Sequence, residues 1–166
     1  MPLRHPICRN RPTPALWLMT DERMGAALWP ALAALPKGSG VVFRHFATAP
    51  AERAALFARV AQIARQRALV LVEGGGAAQR RALHPAHSLR EAIAARRAGA
   101  AAVLVSPVYP TRTHPGARAL GPLRAATIAR AAGCPAIALG GMTRARFKRI
   151  KALGFVGWAA VDGLTP

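Results

Sequence analysis

Short, continuous apolar runs alternate with longer amphipathic stretches along most of this chain. Residues 16–20 are the first run, ending in the polar pair Thr20-Asp21. A helical stretch over 24–35 follows, with Leu28, Leu32 and Leu35 on one face. Pro30 inside it predicts a kink or a break. Residues 41–46 form a second strand. Thr48-Ala-Pro50 then opens an amphipathic helix over 51–67, with Leu56, Val60 and Ile63 at helical spacing and Glu52 in its first turn. Residues 68–72 are a third apolar strand.

From residue 73 to 84 the pattern degrades. A Gly-rich loop leads to two helical turns at most, over 77–82, and then to a remnant of something extended. Order returns at Ser88, where Ser88-x-x-Glu91 reads as a capping box and Gly99 stops the helix. Strands are predicted over 101–106, 135–139 and 156–161. A helix starting at Gly121-Pro122 and ending at Gly133 separates the first two of these, and one capped by Thr143 and stopped by Gly154 separates the last two. Six strands follow from the pattern, with a seventh around residues 83–87. Apolar strands alternating with helices mean a parallel sheet covered on both faces.

The chain has 166 residues, enough for one domain that buries about 70% of its unfolded surface. The reading is a single domain over 15–166 behind a basic, Pro-rich leader over 1–14, in a cytoplasmic protein. No apolar run reaches the roughly 20 residues of a membrane helix. Cys8, in the leader, and Cys134, before Pro135, point to neither a disulfide framework nor a metal site. The net charge of +18 rests on 24 basic residues, of which only Lys37, Lys148 and Lys151 are lysines. These charges spread over most of the predicted helices, without a stripe, an RNA-binding motif or a row of aromatics. That distribution argues for attraction of small anionic ligands over specific nucleic-acid binding.

Four places carry candidate chemistry. The loop over 106–121 holds Ser106, Thr111, Thr113, Arg112 and Arg118, with glycines at 116 and 121; hydroxyls, guanidinium groups and open amides suit a phosphate. Gly140-Gly141 lies between a strand and a capped helix, where backbone amides bind anions without a side chain. His87 sits at a strand-to-helix junction, and an imidazole there can move a proton in either direction. The alternative for His87 is a histidine bonded to the start of its own helix. Arg44 ends the second strand, where a guanidinium can meet a phosphate or carboxylate or simply be solvated.

Residues 85–142, PAHSLREAIAARRAGAAAVLVSPVYPTRTHPGARALGPLRAATIARAAGCPAIALGGM, resemble the thiamine phosphate synthases and their TenI-type thiazole tautomerase relatives. The resemblance rests on the His-Ser pair, the P-x-x-P-T-x-T loop and the ALGGM turn. It implies a (β/α)₈ barrel with functional groups at the C-terminal strand ends. At this length the chain lacks about one βα unit, between Glu73 and His84, and the final helix. The barrel is then open or tightened, or a second copy closes it as a homodimer.

By resemblance, Thr111 and Thr113 hydrogen-bond the phosphate, and His114 replaces the lysine usual after the second threonine. Arg44 fits the family cation of the second strand, while Phe46 replaces a second cation. His87 matches the histidine that shuttles a proton on thiazole carboxylate phosphate in the tautomerases. The implied ligands are phosphorylated thiazoles and pyrimidines. In synthases, magnesium held by an Asn-Asp pair and a further Asp neutralises the departing diphosphate. Here the third strand ends Val72-Glu73-Gly74 and the fourth is lost. The expectation is therefore a metal-independent, cofactor-free tautomerase. The alternatives are a synthase joining hydroxymethylpyrimidine diphosphate to thiazole phosphate, and a non-catalytic binder of phosphorylated metabolites.

Overall fold

The computed structural model describes residues 12–111, 116 and 118–161. Among the described residues there are seven strands: β1 (Leu16–Met19), β2 (Gly40–Phe43), β3 (Val70–Glu73), β4 (His84–Ala86), β5 (Val103–Val105), β6 (Ala136–Leu139) and β7 (Phe155–Ala160). Between them lie α1 (Leu28–Ala34), α2 (Pro50–Gln66), α3 (Ala77–Ala82), α4 (Leu89–Arg97), α5 (Pro122–Ala132) and α6 (Arg144–Ile150). All pairings are parallel, in the order β3-β2-β1-β7-β6-β5-β4. The seventh strand expected near residues 83–87 is therefore real.

The sheet curls towards closure. Val72 from one edge strand shares a buried cluster with Leu83, beside the other edge, and with Trp17, Val42, Leu104 and Ile137 from strands between. Two further clusters fill the space between the sheet and its helices. The result is a TIM-barrel-like α/β fold short of one strand, with an unpaired seam between β3 and β4. Six-residue α3 lies in that seam, and Ala82 and Leu83 plug it at core level, each fully buried.

Local signals explain most element ends. Ser88 Oγ accepts the Glu91 amide at 3.2 Å, and Glu91 returns a carboxylate oxygen to the His87 amide. Thr143 caps α6 through the Arg146 amide, and Gly133 closes α5 in the left-handed conformation. Pro30 is where the structure differs. It falls in the first turn of α1, where a missing N–H has no helical partner to lose, so it starts the helix instead of breaking it. The break lies earlier, at Gly25 inside a 3₁₀ stretch over Glu22–Ala27. β2 stops at Phe43, three residues short of the expected end, because the Arg44 amide turns to Thr20 Oγ1 and His45 adopts φ 31°.

Candidate functional site

Because the strands are parallel, their C-terminal ends share one rim. In sheet order it carries Glu73 to Gly76, Arg44 to Phe46, Thr20-Asp21, Val161, Gly140-Gly141, Ser106 to Thr111 and His87-Ser88.

The loop after β5 and the turn after β6 are in direct contact. The Val108 amide donates to Leu139 (2.8 Å) and the Tyr109 amide to the Gly140 carbonyl (3.1 Å). Both glycines need their freedom: Gly140 has φ 96° and Gly141 φ 57°, and a Cβ on Gly140 would lie 2.7 Å from Pro107 Cα. A Cβ on Gly141 would collide with the Pro110 carbonyl, so Thr111, the next residue, stands beside this turn. Thr113, Arg112 and His114 lie outside the described residues. Arg118 is exposed, shortly before Leu120 and Gly121 bond back to Pro107 and Val108. Arg146 is a cation that sequence reasoning missed: it bonds the Gly141 carbonyl and lies over the Tyr109 ring at 4.8 Å. Only its place one helical turn past the glycine pair could have signalled it.

His87 follows β4, the neighbour of β5. Its Nδ1 is 2.8 Å from the Ser106 carbonyl oxygen and 3.2 Å from Ser106 Oγ. A carbonyl only accepts, so Nδ1 carries the proton and Nε2 is the lone-pair nitrogen of the neutral ring. The structure thus brings His87 and Ser106 together, with Ser106 largely buried and the imidazole exposed. His84, left without a role by the sequence, lines the same pocket of about 260 Å³ as His87.

On the far side of the rim, Arg44 has inward-facing partners. Its Nε donates to the Thr20 carbonyl (2.9 Å) and its Nη2 to Asp21 (3.1 Å). The hydrogen bond from Arg23, with help from Arg44, holds the Asp21 carboxyl below its usual range against the opposing effect of desolvation. Burial works to raise the Glu22 carboxyl, but bonds from its own amide and from that of Ala47 outweigh it and lower it. His45 is buried, stacks on Phe43 with ring centres 4.7 Å apart, and meets Thr20 Oγ1 through Nδ1. Burial pushes its imidazole below the ordinary range. Its stacking on Phe43, a residue of the helix-side cluster, turns it away from the barrel interior.

Among the described residues, each carboxylate of the rim already has a partner. Glu73, the one nearest the expected position, is bonded to Arg53 at 2.6 Å. Asp21 is shared between Arg23 and Arg44, Glu22 accepts the Ala47 amide, and Glu91 caps α4. Among the described residues, no three His, Cys, Asp or Glu side chains gather as a metal would require. No helix among them is long and apolar enough to cross a membrane.

Comparison with known proteins bears on the fold and on part of the sequence. The fold matches that of thiamine phosphate pyrophosphorylase from Pyrococcus furiosus with a TM-score of 0.74 and 20% identity, over 92% of this chain and 87% of that one. No curated protein sequence matches the chain. Residues 84–164 match the thiamine monophosphate synthase family, a span that holds His87, the Ser106 to Thr111 loop and the Gly140-Gly141 turn. With that span on seven strands of a TIM-barrel-like sheet, the family match and the fold together support membership of the thiamine phosphate synthase/TenI family.

Proposed function

We propose that this protein binds a thiazole carboxylate phosphate and moves a proton on its ring without a metal, as the TenI-type tautomerases do. The observation that carries the reading is the bond from His87 Nδ1–H to the Ser106 carbonyl at 2.8 Å. It fixes the tautomer whose Nε2 can accept a proton, at a strand end where a ligand can approach. The anion anchor is one to two strands away, at Thr111 and the Gly140-Gly141 turn. Neighbouring strands lie about 4.8 Å apart, so His87 and the turn after β6 are separated by roughly 10 Å. That is the reach of a ring carrying a phosphate on a short tail. α6 has only seven residues, so the anchor is assigned to the turn and the loop, with no share for a helix dipole. Arg146 adds a cation beside them, and Arg118 a second at the base of the loop.

Synthase chemistry is disfavoured by the engagement of Glu73 with Arg53, which leaves the expected metal position neutralised by a cation already in place. The test is incubation of the protein with thiazole carboxylate phosphate in the presence of EDTA, following conversion of the ring isomer. A parallel reaction contains hydroxymethylpyrimidine diphosphate, thiazole phosphate and magnesium. Isomer conversion in EDTA supports the tautomerase reading. Thiamine phosphate formed only in the second reaction replaces it with the synthase.

A further inference from the structure

The seam between β3 and β4 is where this chain departs most from a closed barrel, and it is built as a pocket. On the β4 side, His84 and Ala86 direct their backbone bonds to β5. The residue facing the seam is Pro85, which has no amide, and its carbonyl accepts from His84 Nδ1 at 2.7 Å. That edge offers no free donor to an incoming strand, which is how natural sheets blunt an edge. Below it, Ala82 and Leu83 close the core. What remains open is the rim-level cavity of about 260 Å³, with Gln79 and Arg80 of α3 on one wall and His84, His87 and Glu91 on the other.

Two features of this cavity point to a ligand. His84 and His87 are both pinned through Nδ1–H to a backbone carbonyl, Pro85 and Ser106 respectively, so both present Nε2 as the reactive nitrogen of the neutral ring. Glu91 is occupied by the His87 amide, and Gln79 accepts from the Gly75 amide through Oε1, leaving its NH₂ as a donor. Arg80 is an exposed guanidinium on the same wall. At the rim, Phe46 is 62% exposed and packs against Gly74 and Gly75, where a Cβ would come within 3.1 Å of its ring. Within the cavity, the Gln79 and Arg80 donors and the two basic nitrogens together suit a heteroaromatic ring bearing a carboxylate.

We propose that this seam pocket seats the carboxylate-bearing ring of the ligand, with Arg80 and Gln79 as its anion contacts on one wall and His84 as a second proton-transfer group beside His87 on the other. The proposal rests on the tautomerase reading and extends it. Shifting a double bond in a ring removes a proton from one position and adds one at another. One imidazole takes the first proton on Nε2 while the other, as imidazolium, gives up its Nε2 proton to the second position. No electron is gained or lost, no other bond breaks, and exchange with water restores the pair. The charged and titratable groups facing the two rings are Arg80 from α3 and Glu91 from α4, with Glu73, already paired to Arg53, at the end of β3.

The test compares the unaltered protein with His84→Asn, His87→Asn and Arg80→Gln, measuring both conversion and equilibrium binding of thiazole carboxylate phosphate. His84→Asn is expected to slow turnover about 10²-fold with affinity retained, and added imidazole to restore part of it in His84→Ala. Arg80→Gln, on an exposed helix face, is expected to weaken binding roughly tenfold. If His87→Asn is inactive while His84→Asn and Arg80→Gln keep full turnover and affinity, the seam subsite is wrong and the His87 reading stands. If the unaltered protein binds the ligand without converting it, the tautomerase reading and the proton pair both fail. The anion contact is then sustained only by weaker binding in Arg80→Gln. Absence of any binding overturns both, and activity lost to EDTA and regained with zinc overturns the proton pair in favour of a metal.

Discussion

Thr20 and His45, 25 positions apart, share a buried hydrogen bond of 3.0 Å between Oγ1 and Nδ1. Thr20 Oγ1 also accepts the Arg44 amide, and a bond donated by its one hydroxyl proton to Nδ1 requires a neutral ring. Burial likewise disfavours the imidazolium, and the ring's pKa lies below the ordinary value of about 6.5. Between the folded and unfolded values the unfolded chain binds more protons, so stability rises with pH. The contribution is complete above about pH 6.5 and is lost as pH falls towards the folded value. Asp21 and Glu22, also depressed, lose their contributions only lower, below about pH 4. Urea denaturation from pH 7.5 to 5 is therefore expected to show falling stability. His45→Asn, which tolerates the positive φ, should flatten that slope. An unchanged slope would remove His45 as its cause.

Gly140 should be intolerant of any side chain. At φ 96° an L-residue is strained by about 1–3 kcal/mol. A Cβ would also press on the Pro107 backbone at 2.7 Å, where overpacking adds a similar amount. Gly140→Ala is expected to lose at least about 2 kcal/mol in denaturant titration. Gly99→Ala is the control: it shares a positive φ of 66°, but its Cβ meets nothing within 4 Å, so about 1–2 kcal/mol should be lost. Equal losses at the two positions would mean that the loop and the turn are not in the contact described.

Most of the fold was legible because it is written locally. Ser88 with Glu91, Thr143, Gly133 and Pro122 each act within a turn of their own position, and the apolar strands need no partner to be recognised. Pro30 misled because the same residue breaks a helix from the inside and begins one from its first turn. His84 and Arg146 were not legible as site residues. His84 gains its place from a strand that is absent, which opens the seam, and Arg146 from a loop more than 30 residues earlier that packs on the glycine turn. The Thr20–His45 bond joins two strand ends by register alone, and nothing in either segment names the other.

The carboxylates make a prediction about metal. Glu73 is held by Arg53 at 2.6 Å and the remaining described acids of the rim by arginines or backbone amides. Magnesium should then bind no more tightly than to scattered surface carboxylates, and EDTA should leave isomer conversion unchanged. Calorimetric titration and an EDTA-treated assay check this. Magnesium-dependent formation of thiamine phosphate at ordinary enzymatic rates, about 1 to 10³ per second, would establish the synthase instead.

His87 and Thr111 should separate turnover from affinity. His87→Asn keeps a polar group at the start of α4 and leaves the Ser88–Glu91 cap untouched, but removes the titratable Nε2. Conversion should fall about 10²–10⁴-fold with little change in ligand binding. Thr111→Val removes a hydroxyl beside the glycine turn and should weaken phosphate binding roughly tenfold while bound ligand still turns over. The contrast matters more than either value. A proton-transfer group acts on the barrier and an anchor acts on the bound state, so the two variants should move kcat and Kd in opposite proportions. Loss of binding in His87→Asn equal to its loss of rate would make His87 an anchor and leave the proton transfer without its base.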